Sequence, residues 1–138
     1  MEPTEAEWAY LAGIIDGEGS IVLSHRGARS SNSYECCVSV VNTDFNLIDW
    51  INGTFGCHIY LDERGSNPNS NRYGHKPIHR AAWHGKEDIY RILSGVLPYL
   101  IIKHAVAEVL ITFASTPIWE KEVRIAIKNK LSEVKQNG

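Results

Sequence analysis

The stretch that decides how this chain is interpreted is Leu11-Ala12-Gly13-Ile14-Ile15-Asp16-Gly17-Glu18-Gly19. Its first half is apolar, and its second half alternates carboxylates with glycines. Glycine ends helices readily and lets a second backbone come close, so a helix is expected to run into this stretch and end at its glycines. The side chain of Glu18 then emerges at the end of that helix.

The residues before this stretch predict where the helix begins and which faces it buries. Thr4 and Glu7 have the spacing of a capping box, in which each side chain bonds the backbone amide of the other residue. Large apolar residues recur at helical spacing on one face, and very small residues form a second stripe: Trp8, Leu11, Ala12 and Ile15 on the first, Ala9, Gly13 and Gly17 on the second. The small stripe allows a close helix contact, either with a second chain or with a neighbouring element of the same domain.

Composition limits the class of protein. With 138 residues and 43% hydrophobic content, residues 1–138 are expected to form a single domain that folds without disulfide support. Three cysteines and no long apolar run predict an intracellular protein, in the cytoplasm or an organelle matrix, that is neither secreted nor membrane-bound. A net charge of −2 argues against a protein that simply coats nucleic acid.

The basic residues are nevertheless concentrated in two segments. Residues 57–86 contain five lysines or arginines and only two acids, and residues 25–29 contain two arginines and no acid. The basic residues of the longer segment are Arg64, Arg72, Lys76, Arg80 and Lys86, and those of the shorter one are Arg26 and Arg29. A nearly neutral chain can therefore present one basic face.

The remaining sequence predicts two hairpins separated by a helix and followed by three helices. Strand-like runs at 20–25 and 34–42 are joined by a polar loop, and a second pair follows at 58–62 and 78–84. The predicted helices are 44–54 between the hairpins, then 86–97 ended by Pro98, 99–114 and 118–134. The predicted order is helix, hairpin, helix, hairpin, helices, an α+β fold.

The nine-residue stretch resembles the LAGLIDADG signature of homing endonucleases. Six of its nine residues are identical, and Ile14, Gly17 and Glu18 are the departures, of which Glu18 keeps a carboxylate. Together with the element order, the resemblance covers nearly the whole chain. It implies the LAGLIDADG homing endonuclease fold, with a four-stranded antiparallel saddle sheet whose concave face lies in the major groove of double-stranded DNA.

The resemblance also implies a phosphodiesterase site. Hydrolysis needs an activated water and charge neutralisation on the phosphate, which a hard divalent cation supplies. Glu18 is the expected catalytic metal ligand, helped by the carbonyl of Gly17, with Mg²⁺ as cofactor, Mn²⁺ as a substitute and no small-molecule cofactor. Lys103 would stabilise developing negative charge, and Asn42 would orient solvent or instead cap the following helix. Asp16 is expected to cap the helix end.

Only one copy of the signature occurs, so one chain supplies half of a site that cuts both strands. The resemblance therefore implies a homodimer with two-fold symmetry, with Ala9, Gly13 and Gly17 at the contact between the two helices. Such a dimer would cut a long, near-palindromic target across the minor groove and leave short 3′ overhangs.

Alternate hairpin positions are the expected DNA-reading residues. Those predicted to contact base edges are Ser24, Arg26, Ser39, Tyr60, Arg64 and Arg80, and those predicted to contact phosphates from the loops are Arg29, Arg72 and Lys76. The prediction depends on strand register, because a slip of one residue would move every side chain to the other face.

Two other functions compete with a nuclease. Cys57, His58, His75 and His79 suggest a zinc site, which is disfavoured because Pro77 prevents the helix that would bring two histidines together and because no Cys-x-x-Cys pair occurs. The same scaffold also serves intron RNA maturases and regulators that bind DNA without cutting it. Retention of Glu18 and Lys103 favours the nuclease.

Overall fold

The computed structural model describes residues 2–25, 34–62, 68–69, 71, 74, 76–116 and 121–137. Within these residues the chain forms five α-helices and four strands in the predicted order, which confirms the α+β fold. The elements are α1 (Glu5–Glu18), β1 (Gly19–His25), β2 (Tyr34–Asn42), α2 (Phe45–Phe55), β3 (His58–Asp62), β4 (Ile78–His84), α3 (Lys86–Val96), a 3₁₀ turn (Leu97–Tyr99), α4 (His104–Ala114) and α5 (Lys121–Asn137). No described helix combines the length and the apolar character needed to cross a bilayer.

Both ends of α1 follow from local sequence. The amide of Thr4 donates to Oε1 of Glu7 at 2.8 Å and the amide of Glu7 donates to Oγ1 of Thr4 at 3.1 Å, so the predicted capping box is confirmed. At the other end, a Cβ on Gly19 would lie 2.6 Å from the Cα of Ile15. The chain can turn directly from α1 into β1 because glycine has no side chain at this position.

The four strands form one antiparallel sheet in the order β1-β2-β4-β3. One row of paired residues crosses all four strands: Ser20, Ser39, Ala82 and His58. Because paired residues share a face and successive residues alternate, this row fixes the two faces of the sheet. One face packs on the helices and contains the fully buried side chains of Val38, Val40, Ala81 and Trp83. We call the other the open face, defined by Ser20, Val22, Ser24, Glu35, Cys37, Ser39, Val41, His58, Tyr60, Arg80, Ala82 and His84.

The core lies between the helix-facing side of the sheet and helices α1 to α4, and it includes Leu131 of α5. The indole of Trp83 is fully buried there, and its Nε1 donates to the carbonyl of Gly56 at 2.6 Å. The first and third helices are in direct contact, because a Cβ on Gly95 would overlap the indole of Trp8. The large apolar face predicted for α1 is confirmed by the burial of Leu11, Ala12 and Ile15.

Two predicted helix boundaries are wrong. The helix predicted over 99–114 begins at His104, because Leu97–Tyr99 forms a 3₁₀ turn and the amides of residues 101–103 bond to a side chain instead of to the helix. The helix predicted over 118–134 continues to Asn137, since no glycine or proline interrupts it before Gly138. Residues 117–120 lie outside the described residues.

The three cysteines are free, and burial distinguishes their reactivity. Cys36 is buried, which raises the pKa of its thiol to about 12, while the half-buried Cys37 and Cys57 have pKa values raised by partial burial. The thiolate is the nucleophile in alkylation. We expect iodoacetamide at neutral pH to leave Cys36 unmodified in the folded protein and to label all three cysteines in guanidinium, as measured by peptide mass spectrometry. Rapid native labelling of Cys36 would contradict its placement in the core.

Candidate active site

The end of α1 presents a carboxylate beside an amide. Glu18 is the last residue of α1 and is exposed, and Asn42, at the end of β2, donates from Nδ2 to Oε2 of Glu18 at 3.4 Å. These two residues are 24 positions apart in the sequence and are brought together because β1 follows α1 directly and pairs with β2. The structure therefore places two of the predicted catalytic residues side by side.

The alternative role of Asn42 as a helix cap is wrong. Asp44 is the N-cap of α2, with its side chain accepting from the amide of Asn46 at 2.9 Å. Asn42 instead accepts from the amide of Asp44 through Oδ1 at 2.8 Å. Because that bond occupies the carboxamide oxygen, the Nδ2 group is oriented as a donor toward Glu18.

The expectation that Asp16 caps its own helix is also wrong. Its carboxylate accepts from the amides of Ile101 at 2.7 Å, Ile102 at 3.2 Å and Lys103 at 3.0 Å, so it binds the segment that leads into α4. The end of α1 is closed by the amide of Gly19, which donates to the carbonyls of Ile14 and Ile15. Burial raises the pKa of the Asp16 carboxyl, but the three amides and the Lys103 ammonium outweigh it, and the net pKa lies below its usual value.

Lys103 lies at the same helix end. Its Nζ donates to the main-chain carbonyl of Asp16 at 2.8 Å, two residues before Glu18, and its side chain is half-buried. An ammonium beside the last carbonyls of a helix is favoured by the helix dipole. The structure thus brings Lys103, Glu18 and Asn42 to one end of α1.

The oxygen donors here suit a hard divalent cation. The carboxylate of Glu18 and the carbonyl of Gly17 are ligand types that Mg²⁺ and Ca²⁺ prefer, whereas the Asp16 carboxylate is already used by three amides. Among the described residues there is no group of three or more histidines, cysteines or acids that could hold a metal. The donors at this helix end therefore fit a hard cation by type.

Two of the four residues of the zinc alternative lie on opposite faces of the sheet. His58 pairs with Ala82, and His79 pairs with Leu61 and Asn42, so the two histidines are on opposite faces of the sheet. His75 lies outside the described residues.

The small-residue stripe is open to solvent instead of packing inside the domain. No described atom comes within 4 Å of a Cβ built on Gly13 or Gly17, so the interpretation of the stripe as an internal contact is wrong for the described residues. Ala9 is half-buried at the edge of the stripe. Tyr10, which sequence reasoning missed, is 60% exposed on the same side of the helix, and Ile101 and Ile102 are 87% and 74% exposed.

Four of the predicted DNA-reading positions share the open face: Ser24, Ser39, Tyr60 and Arg80. Ser24 is paired with Glu35 at a register position on this face. Tyr60 pairs directly with Arg80, and the side chains of Tyr60 and Arg80 are exposed. Ser39 is on the same face but only 5% exposed, so its hydroxyl is poorly accessible. Lys76 is exposed just before β4. Four predicted contacts, Arg26, Arg29, Arg64 and Arg72, lie outside the described residues.

A polar cluster on the open face was not predicted. The hydroxyl of Tyr60 lies 3.4 Å from Nε2 of His84, whose Nδ1 lies 3.5 Å from Oε1 of Glu35, and the ring of His58 is 6.0 Å from that of His84. Strand alternation alone puts His58, Tyr60 and His84 on one face once the register is known. That register was the missing information.

No family model matches the chain, and no curated protein matches it. Several solved structures, in contrast, are similar to the chain in fold. The homing endonuclease I-CvuI, in complex with its target in the presence of Ca, has a TM-score of 0.70 and 18% identity over 94% of this chain and 82% of its own. The archaeal intron-encoded homing endonuclease I-Vdi141I, complexed with DNA, has a TM-score of 0.67 and 14% identity over 96% of this chain and 82% of its own.

A longer protein shows the same similarity over part of its length. The LAGLIDADG homing endonuclease I-GzeII, in complex with a DNA target, has a TM-score of 0.64 and 17% identity over 96% of this chain but only 44% of its own. The signature-like stretch, the order of the elements and these similarities agree. The chain has the fold of the LAGLIDADG homing endonucleases.

Proposed function

We propose that the protein is a site-specific DNA endonuclease that cuts both strands of a long, near-palindromic target as a homodimer, with Mg²⁺ and with short 3′ overhangs. The observation that carries the proposal is the meeting of Glu18, Asn42 and Lys103 at the exposed end of α1. A carboxylate, an amide donor and an ammonium are the groups that metal-assisted phosphodiester hydrolysis uses.

Each group has a distinct role in this proposal. Glu18 and the carbonyl of Gly17 would hold the divalent cation, which would supply charge neutralisation at the phosphate and activation of the attacking water. Lys103 stabilises the negative charge that develops on the phosphate. Asn42 orients solvent through the Nδ2 group that already faces Glu18. The I-CvuI structures were obtained with Ca and with Mg, which is consistent with a divalent ion, and Mn²⁺ as a substitute stays a prediction.

A second copy would complete the site. One chain offers one exposed carboxylate of the signature, that of Glu18. Cutting two strands near a two-fold axis needs two such carboxylates, one from each copy. The open stripe at Gly13 and Gly17 gives room for close contact with the α1 helix of the other copy. The same contact would cover exposed apolar side chains close by, those of Tyr10, Ile101 and Ile102. The length of I-GzeII, of which this chain matches 44%, is consistent with two such units in one polypeptide.

The open face would contact the DNA. A β-ribbon fits the major groove, and an arginine such as Arg80 pairs well with guanine edges. β2 has nine residues, which corresponds to about 30 Å of strand at roughly 3.3 Å per residue. This length spans most of one helical turn of DNA, so two copies would read a long target.

The proposal is tested by incubating the purified protein with a DNA library of symmetric and randomised sites, with Mg²⁺ and with EDTA. We expect double-strand breaks at one near-palindromic sequence in Mg²⁺ and none in EDTA, mapped by sequencing the ends. Binding without cleavage in Mg²⁺ or Mn²⁺ would contradict the nuclease. It would favour a non-cleaving regulator, or an intron RNA maturase if RNA competed for the protein.

A further inference from the structure

Asp16 connects two distant parts of the chain with both of its carboxylate oxygens. Oδ2 accepts from the amide of Ile101 at 2.7 Å, and Oδ1 accepts from the amides of Ile102 and Lys103 at 3.2 and 3.0 Å. These partners are 85 to 87 positions further along the sequence. Hydrogen bonds to a charged acceptor are stronger than neutral ones, so three of them fix the segment firmly.

The connection is reciprocal at Lys103. The side chain of Asp16 binds the backbone of Lys103, and the side chain of Lys103 binds the backbone carbonyl of Asp16 at 2.8 Å. We call this pair of contacts the Asp16–Lys103 clamp. It fixes both the position of the Lys103 backbone and the direction of its ammonium relative to the end of α1.

Apolar packing does little to hold the clamped segment. Ile101 and Ile102 are 87% and 74% exposed, and Lys103, the N-cap of α4, makes no side-chain capping bond. The carboxylate of Asp16 supplies the acceptor that the amides before α4 need. Between the buried Leu100 and α4, the amides of residues 101–103 are therefore fixed by Asp16.

We propose that Asp16 is a positioning residue of the nuclease site, which holds Lys103 against the helix end that carries Gly17 and Glu18. The inference rests on the proposed function and adds to it a residue that touches neither metal nor DNA. Because the clamp joins the carboxylate-bearing end of α1 to the ammonium, the two groups keep one spacing when DNA binds.

Asp16→Asn tests the clamp with little change in shape. The carboxamide retains one oxygen for the amides of Ile102 and Lys103 but places a donor against the amide of Ile101. We expect the single-turnover cleavage rate at saturating protein to fall by about 10- to 100-fold, since small displacements of catalytic groups have effects of this size. DNA affinity should stay within about twofold, because Asp16 lies outside the DNA-reading face.

The matched control is Thr4→Ala, which removes the capping box at the other end of α1 and lowers stability without touching the clamp. Its cleavage rate should equal that of the wild type. An equal loss of rate in Thr4→Ala and Asp16→Asn would show that helix stability is the cause and would overturn the proposal. Should Asp16→Asn not fold, Asp16→Glu keeps the charge but moves both carboxylate oxygens one methylene further from α1, without changing a side chain of the proposed dimer contact. It should then lower the rate in its place, and an unchanged rate would overturn the proposal.

A double-mutant cycle identifies the residue through which Asp16 acts. In a Lys103→Met background, Asp16→Asn should lower the rate by less than about twofold, because the group it positions is already missing. A full further loss would overturn the proposal. A wild type that never cleaves would overturn the proposed function, whereas a cleaving wild type with an equally fast Asp16→Asn variant would overturn the clamp alone.

Discussion

Glu18→Gln is expected to abolish cleavage while leaving DNA binding intact. The carboxamide keeps the size of the side chain and removes the charge that holds the cation. In the proposed mechanism a bound cation would stabilise the transition state by several kcal/mol, so the cleavage rate should fall by about 10³-fold or more. DNA affinity should change by less than about twofold, because Glu18 lies at the helix end and the base-reading side chains lie on the open face of the sheet.

The measurement pairs single-turnover cleavage in Mg²⁺ with equilibrium binding in EDTA, on the same target. Glu5→Gln is the matched control, since it makes the same change on the same helix at the opposite end, and it should cleave at the wild-type rate. If Glu18→Gln kept more than about a tenth of the wild-type rate, Glu18 would not be the metal ligand. Simultaneous loss of binding and cleavage would instead point to misfolding, which circular dichroism of the variant tests.

Gly13→Leu is expected to convert the proposed homodimer into a folded monomer. Within one chain a Cβ at this position meets no described atom within 4 Å, and the substitution replaces glycine in a helix, which stabilises the helix by about 0.8 kcal/mol. Between two α1 helices, a leucine on each copy would separate backbones that the glycine stripe allows to approach. The dimer should therefore weaken by at least about 100-fold, as expected for overpacking that costs roughly 3 kcal/mol.

Analytical ultracentrifugation over a range of protein concentrations gives the association constant, and thermal unfolding shows that the variant folds. Gly53→Leu is the matched control, because Gly53 lies in α2 and also has nothing described within 4 Å of its Cβ position. It should leave the dimer unchanged. A Gly13→Leu dimer as strong as the wild type would contradict the helix-stripe interface, and a monomeric wild type at micromolar concentration would contradict the homodimer itself.

Much of the fold could be predicted because the decisive patterns are local. The capping box at Thr4 and Glu7, the alternation along β2 and the glycine at the end of α1 each act within a few residues, and their elements have the expected bounds within one or two positions. Strand alternation also explains why Tyr60 and Arg80 were both assigned to one face. The meeting of Glu18 with Asn42 then follows from the connection of α1 to the first hairpin.

The remaining features depend on contacts between distant residues. No spacing rule links Asp16 to amides 85 positions away, so its role and the late start of α4 at His104 could not be predicted. The cluster around His84 needs the pairing of β2 with β4, a contact between two separate hairpins whose register is not encoded in either one. Both cases involve polar groups, whose partners are set by tertiary geometry more than by periodicity.

The contact of Trp8 with Gly95 has a consequence for the order of folding. The chain between Trp8 and Gly95 is nearly as long as the chain between Asp16 and Ile101. Both ends of α1 are therefore held by parts of the chain that are synthesised much later. Loop closure of this size is entropically costly, whereas each hairpin forms from near neighbours. We expect α1 to dock last. A nascent or truncated chain would then hold Glu18 beside Asn42 through the first hairpin but would lack Lys103 and the bonds from residues 101–103 to Asp16. It would be inert toward DNA strands until the second half of the domain is complete.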